Sequence, residues 1–362
     1  MDNIKPWKTV CALKNNWHNM EKYYHKLAKV CLGLVLLIIV AGSVVRMTGS
    51  GMGCPDWPKC FGYLIPPTSE DVINFKPNHE YKKGQVIQID AVFYYAKSDF
   101  TSTETLHINN WKKNTTHSYN TFNVVHTWIE FINRVITAIA GIPVVLLFVL
   151  SILLFKKKKL LLVNAGLVLF LMGFAAWLGK TVVDSNLMPT KISMHLAIAY
   201  LLVLVLTFAI FKSKIWQPIA PQTSAIFKKM LIITFIFTII QIILGIQVRQ
   251  FVDGQMGVVG YQKELWLQNP ELNFYIHRSF SIVLLIVNFW LFYTNKKYVY
   301  KIPLINAMII FLCFEVLIGI VMSYLDFPFI SQPLHLVFSA MILALQCFIM
   351  LRVFTKTRNF AS

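Results

Sequence analysis

Four histidines stand beside or inside long apolar runs of this sequence: His126, His195, His277 and His335. Two carboxylates, Glu130 and Glu315, fall within such runs, and a pair of cysteines, Cys54 and Cys60, closes a short Pro-Asp-Trp-Pro-Lys segment. Polar groups at membrane depth cost about 3 kcal/mol or more, so they tend to mark function. A histidine there is either a polar side chain bonded to a neighbouring helix or a metal ligand. His277 and His335 hold equivalent places in two helices expected to pack in one bundle. Two facing imidazoles in apolar surroundings suit bis-His ligation of haem iron, with Phe and Leu against the macrocycle. Zinc suits the pattern less well, because no Cys, His and carboxylate set reaches four ligands at one depth. Arg278 is a candidate partner for a haem propionate near the surface; the plainer reading is an interfacial arginine that snorkels.

The other histidine region has a different character. His126, Glu130, Asn133 and Arg134 share one helical face. Glu130 is a candidate proton donor or acceptor, and the alternative is an i, i+4 ion pair with Arg134 that only neutralises charge. Asn133, at the place equivalent to His277, is a poor iron ligand. Glu315 is a candidate for proton handling or for an interhelical hydrogen bond, and the hydrogen bond is the favoured reading. Cys54 and Cys60 lie where disulfides persist in an oxidising compartment. They are read either as a structural staple or as a redox-active pair. Cys31, Cys313 and Cys347 read as small buried hydrophobes.

These residues need a scaffold, and composition points to a membrane. The 362 residues are 56% apolar and 14% charged, with a mean hydropathy of +0.59. Eight apolar runs reach the length needed to cross about 30 Å of hydrocarbon: 29–46, 124–154, 160–181, 193–211, 229–248, 274–294, 303–324 and 334–353. Helices are expected, since each span must satisfy its own backbone in lipid. Residues 1–28 do not read as a cleavable signal. The formal charge of +18 is placed, not spread: 20 of the 34 Lys and Arg residues fall on one side of an eight-span topology. That orients the chain in a cell's inner membrane, multi-pass, with both termini in the cytoplasm, and makes nucleic acid a poor second reading. On this topology all four histidines lie toward the outer leaflet.

The fold expected is therefore an all-α integral membrane protein, with eight helices as two tandem parallel four-helix repeats. The repeat is visible in Gly42-Ser-Val-Val-Arg46 against Gly245-Ile-Gln-Val-Arg249, and in Asn133-Arg134 against His277-Arg278. The spacing from Asn133 to His195 is 62 residues and that from His277 to His335 is 58. The expected divisions are a cytoplasmic tail, 1–28; a first half, 29–211, with a large outer loop at 47–120; a cytoplasmic linker, 212–228; a second half, 229–353; and a tail, 354–362. Short apolar alternation in Val86–Tyr95 predicts a hairpin within the outer loop.

Gly49-Ser-Gly-Met-Gly-Cys-Pro-Asp-Trp-Pro-Lys-Cys60, Glu130-x-x-Asn-Arg134, His195, His277-Arg278 and His335 together resemble the haem A synthase family over residues 27 to 353. The resemblance implies a haem-dependent membrane oxidoreductase that converts the C8 methyl group of haem O to the formyl group of haem A by successive hydroxylations. It implies a b-type haem between His277 and His335 and a substrate haem O bound by His195 in the first half. Glu130 would be the glutamate needed for activity, with Arg134 and Arg278 as cofactor-binding residues and Cys54 joined to Cys60. Its partners would be the haem O-producing farnesyltransferase, the cytochrome oxidase assembly machinery and the lipid bilayer, with self-association left open. The sequence departs from the family's Glu-x-x-His-Arg pattern at Asn133. His126, seven residues or roughly 10 Å earlier on that face, is the candidate replacement; otherwise His195 stands alone beside an open coordination position. The outer loop is also longer than the family's compact form. A non-catalytic haem carrier or assembly factor is the alternative.

Overall fold

The computed structural model describes residues 6–90, 92–114, 122–156, 158–214, 216, 223–297 and 302–355. The end of the outer loop at 115–121, the middle of the 212–228 linker, Lys157, Lys301 and nearly all of the 354–362 tail lie outside the described residues. Eight long helices form: α1 (Pro6–Met47), α2 (Val124–Leu154), α3 (Lys159–Asp184), α4 (Pro189–Ser213), α5 (Ala225–Val259), α6 (Leu272–Lys297), α7 (Pro303–Tyr324) and α8 (Ser331–Val353). Each is long and apolar enough to cross a membrane. Their starts follow ordinary helix chemistry. Asn123 and Ser224 accept the backbone N–H of His126 and Phe227 as N-caps, and Pro189 and Pro303 occupy first-turn positions that need no donor.

Two helices run further than their apolar runs predict. α1 begins at Pro6, well before residue 29. α5 continues to Val259, past the apolar limit at 248, because the polar groups in its last turns find partners. Asp253 there receives both Arg249, at 2.8 Å, and Arg46 of α1. The second guanidinium nitrogen of Arg249 donates to Gln332 Oε1 of α8 at 2.9 Å.

Among the first four helices, α1 and α3 each pack against both α2 and α4; among the last four, α5 and α7 each pack against both α6 and α8. The two groups meet where α1 and α4 lie against α8 and where α4 lies against α5. One core gathers Tyr24, Val35, Val144, Leu147, Val168, Val203 and Leu206 from α1–α4 with Ala340 and Leu343 of α8. A second gathers Phe227, Leu231, Leu291, Ile305, Met308 and Ile349 from α5–α8. Outward faces are as apolar as inward ones: Ile132, Ile139, Ile142 and Leu146 of α2 are exposed, as suits a surface solvated by lipid. Polar side chains then mark the seams. Gln346 of α8 donates to Asn288 Oδ1 of α6 at 3.1 Å, and Tyr200 of α4 meets Ser339 of α8 at 2.5 Å. Cys31 and Cys347 are buried as expected, whereas Cys313 lies on an exposed face of α7.

The long loop between α1 and α2 folds on itself. β1 (Glu80–Tyr81) pairs with β4 (Phe100–Thr101), and β2 (Val86–Ile89), β3 (Val92–Ala96) and β5 (Trp111–Lys113) form a sheet in the order β2-β3-β5. The expected hairpin is present, with Val86 opposite Tyr95 and Ile89 opposite Val92. Tyr81 and Trp111 centre one small core, and Phe61, Phe93 and the two cysteines centre another. The second of these rests on the start of α2, where Phe131 of that helix and Phe122 just before it pack against it.

Candidate functional site

The N-terminal parts of α6 and α8 bring His277 and His335 together edge to face, with ring centroids 6.5 Å apart and planes inclined at 73°. An iron held by two imidazoles, at about 2 Å per metal–nitrogen bond as for zinc, needs roughly 4 Å between its ligating nitrogens. The observed separation accommodates that. Neither ring has a hydrogen bond at Nδ1, although both atoms are buried. Two imidazoles in apolar surroundings are the donor set of a bis-His haem. Among the described residues, no three His, Cys, Asp or Glu side chains gather as a metal-ion site.

Space for each ring comes from a glycine on the preceding helix. A Cβ at Gly245 of α5 would lie 3.1 Å from His277 Cε1, and one at Gly319 of α7 would lie 3.4 Å from His335 Cε1. The same arrangement holds His195 of α4 against Gly179 of α3, at 3.2 Å, and sets Asn133 of α2 opposite Gly42 of α1, at 3.9 Å from Oδ1. These glycines were not among the expected site residues. A signal was present in the sequence, since Gly179–His195 and Gly319–His335 have the same 16-residue separation.

Around His277, Gln241 of α5 donates to its backbone carbonyl at 3.0 Å. Around His335, Glu315 of α7 places Oε1 3.4 Å from Nδ1, and its Oε2 is buried without a hydrogen bond. Arg278 is exposed near the start of α6, over the rings of Phe274 and Tyr275 at 5.8 and 5.5 Å.

The first four helices carry a different cluster. Glu130 is only 4% exposed. Its carboxylate accepts the backbone N–H of Cys54 at 2.8 Å and Nη2 of Arg134 at 2.5 Å. Arg134 also donates to the carbonyls of Asp56 at 2.7 Å and Lys59 at 2.9 Å. The i, i+4 ion pair weighed from the sequence is therefore formed, and it also clamps the loop that Cys54 and Cys60 close as a disulfide. Thr127 reinforces the clamp by donating to the Gly53 carbonyl at 2.8 Å. Gly53 must be a glycine, since a Cβ would lie 2.4 Å from the carbonyl oxygen of His126. Asp56, also missed in the sequence, caps the loop by accepting the N–H groups of Phe61 and Gly62. Burial pushes its carboxyl above the usual range, opposed by those two N–H groups and by Arg134.

Asn133 Oδ1 is buried without a hydrogen bond. His126 sits in the first turn of α2, beneath the disulfide loop, and no described contact joins it to His195. A cavity of about 560 Å³ opens instead between the starts of α4 and α6 and the end of α5, lined by Gln247, Gln250 and Glu271 among others. None of the four histidines lines it.

Residues 25–98 and 92–347 match, in two overlapping stretches, a family model described as cytochrome oxidase assembly protein. The chain is 26% identical over 221 residues to a protein named Heme A synthase from Shewanella oneidensis, covering 60% of this chain and 54% of that protein. It is 44% identical over 59 residues to a protein named Heme A synthase from Shouchella clausii, covering 16% of this chain and 20% of that one. The chain thus spans about half the length of the first of these relatives and a fifth of the second.

Proposed function

The chain belongs to the cytochrome oxidase assembly protein family, and on that premise we propose that it acts as a haem A synthase, oxidising the C8 methyl group of haem O to the formyl group of haem A. The observation that carries this reading is the pair of facing imidazoles, His277 and His335, 6.5 Å apart in a chain of this family. In this reading they hold a b-type haem, which supplies one-electron transfer when bound. Gly245 and Gly319 leave the space in which the two rings stand. Arg278, exposed beside His277, offers its guanidinium to a propionate.

His195 binds the substrate haem O within α1–α4, with Asn133 where the family carries a histidine and His126 as the candidate second ligand. Glu130 accepts and returns the protons of the oxidation. Arg134 holds its carboxylate in place through contacts that also fix the disulfide loop. The apolar helix walls keep water from the reacting group. The two four-helix sets are read as tandem parallel repeats, one for chemistry and one for electron supply. The basic residues support a place in the inner membrane with cytoplasmic termini. The farnesyltransferase that makes haem O is the natural upstream partner, and cytochrome oxidase assembly the destination.

The test is chemical. Cells lacking their own haem A synthase, supplied with a haem O source and this chain, are extracted for haems. Accumulation of haem A is expected. Haem O alone, with the chain present in the membrane, would overturn the reading and make the protein a carrier.

A further inference from the structure

His277 and His335 differ in what stands behind them. His335 has a carboxylate at its back: Glu315 Oε1 is 3.4 Å from Nδ1, with the two side chains 14% and 22% exposed. The distance is within ion-pair reach and longer than a formed hydrogen bond. His335 Nδ1 is buried with no hydrogen-bond partner, and so is Oε2, the other oxygen of the same carboxylate. A buried donor facing a buried acceptor is costly to leave unjoined, and a small rotation of either side chain closes the gap. Gly319, one turn beyond Glu315 on α7, lies against Cε1 of the same ring. The Nδ1–Cε1 edge of His335 is therefore turned toward α7, and Nε2 is the nitrogen left for a metal. His277 has no such backing. Its Nδ1 is also unmet, and the nearby Gln241 gives its amide N–H to the backbone carbonyl and keeps a buried, unpartnered Oε1, an acceptor that carries no charge.

We propose that Glu315 is a positioning residue for His335, taking its Nδ1–H and so fixing the tautomer that ligates through Nε2, while its negative charge lowers the reduction potential of the haem between His277 and His335. The inference rests on the bis-His reading of that pair. Metal-bound histidines commonly give their second ring nitrogen to a carboxylate, which raises ligand basicity and favours the more highly charged metal. The pair is then asymmetric, one histidine charge-backed and the other neutral. A carboxylate at membrane depth is otherwise hard to account for, and this imidazole is its ion-pair-distance neighbour among the described residues.

The experiment is a spectroelectrochemical titration of purified, haem-loaded protein, comparing the unsubstituted chain with Glu315→Gln and Glu315→Asp. Retention of the low-spin b-type spectrum with a more positive midpoint potential is expected in Glu315→Gln. A smaller positive shift is expected in Glu315→Asp, where the shorter side chain lengthens the contact. A midpoint equal to that of the unsubstituted chain, in either variant with haem bound, would overturn the role of Glu315 and leave the bis-His site standing. Absence of a low-spin b-type spectrum in the unsubstituted chain would overturn the site and this inference together.

Discussion

Glu130 is held from two sides, and both holds end in the same loop. Arg134 links its carboxylate to the carbonyls of Asp56 and Lys59, and the N–H of Cys54 reaches it directly. A glutamine at this position keeps an acceptor for Cys54 and loses the charge. Glu130→Gln should therefore leave the protein abundant in the membrane and lower haem A formation about 10²-fold, the scale of a lost general acid–base group. Haem extraction normalised to an immunoblot checks this, and unchanged haem A would refute the proton role. The cysteines sit in the same assembly. Replacing Cys54 and Cys60 by serine should cost about 2 kcal/mol for so short a closed loop, visible as faster proteolysis of the outer loop in intact cells. His277→Ala and His335→Ala should each abolish the low-spin b-type spectrum of the purified protein, and a spectrum that survives either change would remove the bis-His assignment. These residues stood out as candidates because charged or ligating side chains are conspicuous in apolar runs. Which residue touches which was not: Cys54 and Glu130 are 76 positions apart, and no local pattern joins them.

At the scale of elements, a glycine on the neighbouring helix makes room for His195, His277, His335 and Asn133. Gly245 and Gly319 face their histidines at 3.1 and 3.4 Å. Gly319→Leu should drive its side chain into the space of His335, an overpacking cost of about 1–3 kcal/mol. Loss of the b-type spectrum with normal membrane insertion is the expected result. Gly173→Ala, where nothing lies within 4 Å of the added atom, is the matched control and should change neither. Helix number was readable because crossing hydrocarbon demands a long apolar run from each segment by itself. Helix ends were less so. The apolar run of α5 stops at 248, yet the helix reaches Val259 because Arg249 and Asp253 satisfy each other and Arg46 across a seam. Nor does polarity identify the inward face of a span, since lipid and core are equally apolar. Buried Val144 and exposed Val145 on α2 are the same residue type, and hydropathy cannot tell them apart.

For the molecule as a whole, the distribution of Lys and Arg gives a topology that can be tested directly. A cysteine placed at Lys82, in the outer loop, should react with an impermeant maleimide on intact cells, and one at Lys229 should react only after permeabilisation. The reverse pattern would invert the chain. By itself the sequence determined eight spans and singled out the candidate residues, because partition into lipid and ligand character are properties of short segments. Its hairpin at Val86–Tyr95 was readable for the same reason. Only the tertiary structure decided that His277 faces His335, that Glu315 stands behind one of them, and that Glu130 serves the disulfide loop as well as the helix face. Those relations join positions tens of residues apart through packing. In a membrane, packing is set by shape, small residues and polar seams, none of which leaves a period in the sequence.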